Sequence, residues 1–144
     1  VPPFSVHPVS PEIIDLWEQV WPDLGETASM DDQAAVAYRA VKAGGLIKVY
    51  YSTVFSAYQQ TIDRLKQDSP VLAQLFETQY AVWVGYHAIL QENAKVGMLA
   101  DIDDDVIEQM LEQDRVRVAT MQVKQALETA KLKQQYMKQE AVAE

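Results

Sequence analysis

The chemically suggestive spacing in this chain is carried by acids. Asp101, Asp103 and Asp105, followed by Glu112, stand at positions 1, 3, 5 and 12 of a twelve-residue frame. Carboxylates at those positions are how a single loop wraps calcium with oxygen ligands. The frame also needs a glycine at its sixth position, where the backbone takes a positive φ, and there the chain has Val106. A β-branched side chain is poorly tolerated in that conformation. The expectation is therefore that these acids cap a helix and that no metal is bound.

Other catalytic arrangements are sparse. The two histidines, His7 and His87, have no Glu-x-x-His or His-Glu-x-x-His neighbourhood, and no glycine-rich phosphate loop is present. His87 falls late in a long helical pattern, the placement of a core or boundary histidine, so no haem or other cofactor is expected. Asp15, Glu18 and Glu77 are single carboxylates on amphipathic stretches, where solvation is the usual role. Without cysteine, thiolate chemistry, disulfides and zinc-thiolate sites are excluded. The chain reads as non-enzymatic.

The elements that would position these residues read as helices, giving an all-α fold in one domain of 144 residues. Residues 1–11, with Pro2, Pro3, Pro8 and Pro11, read as an extended N-terminal arm. Residues 12–100 read as a helical core. Ser10-Pro11-Glu12 opens a helix ending near Trp21, and Ser29 caps a second that Gly44-Gly45 ends. Ile47, Tyr51, Val54, Tyr58, Ile62 and Leu65 recur at steps of three or four, which predicts one helix over 46–67. Asp68-Ser69-Pro70 turns the chain into a fourth helix, apolar on two faces, that breaks around Gly97. These two helices form the predicted central antiparallel hairpin.

Residues 101–144 read as one long charged helix. Val116, Val123, Ala130 and Met137 recur every seven residues, with Ala119 and Ala126 between them, a heptad seam of small side chains. Such a helix is expected to meet a protein partner or a second copy along Val116, Ala119, Val123, Ala126, Ala130 and Met137. Trp17 and Trp21 are expected to add aromatic surface to that interface, drawn from a set that also includes Tyr50, Tyr51, Tyr80, Trp83 and Tyr86.

Charge and hydropathy bound the partners. The net charge is −9, which disfavours broad adsorption to nucleic acid or anionic membrane. Residues 101–114 carry seven acids and no base, whereas 115–138 carry six bases against Glu128 alone. No apolar run is long enough to span a bilayer, and residues 1–11 lack the basic start of a signal peptide, so a cytoplasmic location is expected.

Pro11-Glu-Ile-Ile-Asp-Leu-Trp17, followed by Ser29-Met-Asp-Asp32 and a long helical hairpin, resembles phage terminase small subunits over about half the chain. That resemblance implies a ring-forming subunit that recognises DNA for packaging. The first expectation remains an assembly or interaction subunit, with DNA handling as its alternative.

Overall fold

The computed structural model describes residues 4–25, 27–98 and 103–143. In chain order they form strand β1 (Phe4–Val9), helix α1 (Ile14–Val20), a 3-10 turn (Pro22–Leu24), helix α2 (Met30–Ala34), strands β2 (Tyr38–Ala43) and β3 (Leu46–Ser52), and helices α3 (Ser56–Asp68), α4 (Pro70–Met98) and α5 (Asp104–Ala143). The arrangement is α+β, which corrects the all-α expectation.

The correction centres on Gly44-Gly45. Both glycines have positive φ, 56° and 81°, the backbone of a two-residue hairpin turn whose twist matches that of paired strands. On either side the chain is rich in β-branched and aromatic residues, and Tyr38–Ala43 pairs antiparallel with Leu46–Ser52. Ile47 and Tyr51 are four apart, a step that keeps two residues on one face of a strand as well as of a helix. The helical stripe assigned from residue 46 is therefore real only from Tyr58 through Ile62 to Leu65, the buried positions of α3.

Within the N-terminal arm, Phe4–Val9 is likewise a strand. β1 pairs parallel with β3, Phe4 opposite Ile47 and Val9 opposite Ser52, giving the order β1-β3-β2. Pro8 is tolerated because β1 lies at the margin of the sheet.

Alternation along the strands divides two cores. Val49, Tyr51 and Tyr38 face α3, α4 and α5, where they join Phe76, Tyr80 and Val84. Val9 and Tyr50 face the other way, onto Trp17, Val20, Trp21 and Val36. At Gly85 of α4 an added Cβ would stand 2.7 Å from Val6 Cγ2, so only glycine lets β1 lie this close to the helix.

Ser69 joins α3 to α4, its Oγ accepting the Leu72 N–H at 3.2 Å, with Pro70 at the helix start. The antiparallel hairpin is thus present, with a first arm shorter than predicted. α4 runs through Gly97 to Met98. α5 returns antiparallel along it. No helix among the described residues is long and apolar enough to cross a membrane.

Candidate functional site

Two places combine functional groups. One is a buried polar network between β2, α4 and α5, and the other is the outward face of α4 beside the sheet margin.

The network starts from Tyr38, the first residue of β2 and fully buried. Its ring meets His87 edge-on, and its hydroxyl is hydrogen-bonded to His87 Nδ1. His87 Nε2 lies 3.2 Å from Asp114 Oδ2 on α5. A carboxylate accepts only, so Nε2 carries the ring proton and Nδ1 accepts from Tyr38. Burial holds the His87 pKa below its ordinary value, against the opposing pull of Asp114. Burial also pushes the Tyr38 phenol far above its usual range. The relay therefore holds a neutral imidazole and a phenol that keeps its proton, with the phenol closed to solvent. It clamps β2 to two helices.

Charged groups extend the clamp. Arg115, 6% exposed, donates to Gln91 Oε1 at 3.0 Å and to Glu112 Oε2 at 2.7 Å. Arg39 donates to the same Glu112 oxygen at 3.2 Å, and forks onto both carboxylate oxygens of Asp23 at 2.6 and 3.0 Å. The hydrogen bond from Arg39 holds the Asp23 carboxyl below its ordinary range. Glu112 Oε1 is buried and makes no hydrogen bond.

The same placement separates Glu112 from the other acids of the calcium frame. Asp101 lies outside the described residues. Asp103 precedes α5 and accepts the Asp105 N–H at 3.3 Å, whereas Glu112 turns inward to two arginines. Because the helix is already formed at Asp104, Asp105 and Glu112 stand about 10 Å apart along its axis. Among the described residues no group of three or more His, Asp or Glu side chains is placed to hold a metal ion.

The residues of the predicted interface fall in different places. Ala119, Val123, Ala126 and Ala130 are buried in the main core, with Val116 packed against it. The seam is covered by the chain's own helices, and its small residues let α5 approach α4. Met137 lies beyond the packed stretch, half exposed. Trp17 and Trp21 pack with ring centroids 4.4 Å apart and planes tilted by 40°, both buried in the second core. Pro11-Glu-Ile-Ile-Asp-Leu-Trp17 thus supplies part of that core, and Ser29 caps an α2 of five residues through a reciprocal bond with Asp32.

Comparison of the chain with protein-family models, with curated proteins and with solved structures finds no match.

The surplus aromatic surface lies instead on α4. Val82, Trp83, Tyr86 and Leu90 are 43%, 41%, 58% and 64% exposed, on three successive turns. The sequence shows this stretch as apolar on two faces, and such a pattern alone assigns both to the core. What separates them is that β1 takes one side of α4 and α5 another, so one apolar face remains outside. No Asp, Glu, Lys or Arg occurs from Thr78 to Gln91. That charge gap is the signal sequence reasoning missed.

Proposed function

We propose that this chain is a non-enzymatic assembly subunit that self-associates through the outward face of α4. The observation that carries the reading is the exposed strip Val82, Trp83, Tyr86 and Leu90 in a charge-free stretch. Interface cores are depleted of charge and enriched in aromatic residues. Two copies of a chain of net charge −9 repel each other broadly. On this face the helix offers three turns without a like charge to oppose. A two-fold pairing of strip on strip would bury the same four residues from each copy.

The buried relay supports the non-enzymatic part of the reading, since Tyr38 and His87 spend their hydrogen bonds within it and Asp114 is further occupied by Gln91 and Arg117. The test is sedimentation over a wide concentration range for the natural chain and for Leu90→Arg and Trp83→Arg. The natural chain should associate. Both variants should remain monomeric with a melting temperature close to that of the monomer, because exposed positions change stability little. A natural chain that stays monomeric at the highest concentration would overturn the reading.

A further inference from the structure

Strand β1 ends the sheet on one side. The Val9 carbonyl turns inward to accept the Thr53 N–H at 2.9 Å. Backbone groups alternate sides along a strand, so Ser5 and His7 also turn toward β3. That leaves the N–H and C=O of Phe4 and Val6, and the C=O of Pro8, on the outer margin, with no strand paired to them among the described residues. The donor that Pro8 lacks would have pointed outward. An unpaired margin of this kind is a template for a further strand.

A groove runs beside the same margin. Its first compartment, about 560 Å³, lies between Phe4 and Val6 of β1 and Ala81, Val82 and Tyr86 of α4. A second, about 540 Å³, continues past Pro8 to Tyr58, Asp63 and Lys66. Glu77 lines both compartments and accepts the Tyr51 hydroxyl at 3.2 Å. The first compartment is thus mainly apolar. The second adds Glu12 and Asp63 to Glu77, against the single cation Lys66.

We infer that this margin and groove receive an extended segment of a partner protein as a fourth strand, with an apolar side chain in the first compartment and a Lys or Arg two residues away at Glu77. Val6 presents both a donor and an acceptor to such a segment, which supplies the backbone part of the recognition. Residues i and i+2 of a strand point to one face about 7 Å apart, which matches an apolar compartment leading to a carboxylate. A second copy's own β1 is a poor occupant. Its sequence Phe4-Ser-Val-His-Pro-Val9 has no Lys or Arg, and its proline interrupts the same margin. A small apolar ligand would fill the first compartment and make no use of the margin.

The test uses a fluorescein-labelled peptide, Gly-Thr-Val-Thr-Val-Thr-Lys-Thr-Val-Gly, titrated against the full chain and followed by anisotropy. Two further forms carry N-methyl groups on alternate amides, one form for each edge of the strand. Saturable binding is expected. Methylation of one edge should weaken it at least about tenfold while methylation of the other leaves it nearly unchanged, the signature of pairing to a single margin. Replacing the peptide lysine by glutamate should weaken binding similarly, and Glu77→Gln, which keeps an acceptor for Tyr51, should remove most of that preference. Repeating the titration in Leu90→Arg separates this site from self-association through α4. Equal response to both methylated forms, indifference to the lysine, or no saturable binding at millimolar peptide would each overturn the proposal.

Discussion

Helix α5 is two helices in its physics. From Val116 to Ala130 it presents Ala119, Ala126 and Ala130 to α4 with no exposed surface, whereas residues 131–142 are exposed or nearly so on every side. Gln134 donates to Ser69 at the turn that begins α4. The residues beyond it extend roughly 13 Å past their neighbour. The heptad repeat runs through both stretches without a change of step. A repeat of small residues therefore states that a close neighbour exists along part of a helix, and says nothing about whether that neighbour belongs to the same chain.

The largest effect should come from charging the packed stretch. Ala126 is fully buried, so Ala126→Glu places a carboxylate in the main core without a partner and should cost on the order of 3 kcal/mol or more. For a domain of this size that is a fall of roughly 10 °C in melting temperature. Sedimentation should show the same mass before and after. A variant that melts normally but loses an oligomer would mean that the seam faces another chain.

How much of this was legible follows the same division. Helix α4, the turn at Ser69-Pro70 and the uninterrupted run of α5 were readable, because caps, proline at the first helical position and absence of breakers are local signals. The sheet was missed where two periods coincide. Ile47 and Tyr51 satisfy both, and the decisive evidence was the Gly44-Gly45 pair, read as a helix stop when two adjacent glycines between β-branched runs specify a hairpin. β1 was hidden by its prolines, which fit a marginal strand as well as an arm. Of the candidate site residues, Trp17, Trp21 and the alanine seam were placed on an interface because composition alone cannot tell a surplus ring from a core ring. The buried network could not be foreseen, since Tyr38, His87 and Asp114 are brought together by contacts between distant parts of the chain.

A smaller effect should follow from acid, and it reaches α5 through its packed end. Burial lowers the His87 pKa in the folded chain, so the unfolded chain takes up that proton first. Its contribution to stability is complete above the ordinary value of 6.5 and declines as pH falls below it. A protonated His87 would donate from Nδ1, and the buried Tyr38 hydroxyl would lose its acceptor. Asp114 adds a second stage. Burial raises its pKa, but hydrogen bonds from Arg117 and Gln91 and the neighbouring charges lower it further, for a net depression. Its contribution is present above the ordinary 3.8 and is lost as pH falls through the lower folded value. Melting temperature should therefore fall in two stages, the first setting in as pH drops below 6.5. His87→Gln should remove the first stage and leave the second. A single fall confined to below pH 4.5 would show that the relay does not feel its own titration.

The smallest change is expected where α5 projects. Leu132 and Tyr136 are 64% and 69% exposed and four residues apart, one apolar stripe that leads from the last turn tied to α4, where Lys133 donates to Gln79, onto the projecting stretch. Tyr136→Ser removes no buried contact and should alter stability by no more than about 0.5 kcal/mol. A segment of this length is a marginal helix by itself, and its hydrogen bonds borrow stability only from the turn N-terminal to them. Amide hydrogen exchange at low protein concentration should accordingly be fast after Gln134 and slow from Val116 to Ala130. Repeating the exchange at high concentration divides the remaining cases. If association through α4 leaves the projection uncovered, its amides stay fast while the natural chain gains mass. If they slow in step with mass, and Tyr136→Ser prevents both, the projection is itself part of the contact between copies, and the packed and exposed parts of α5 differ only in which chain supplies the neighbour.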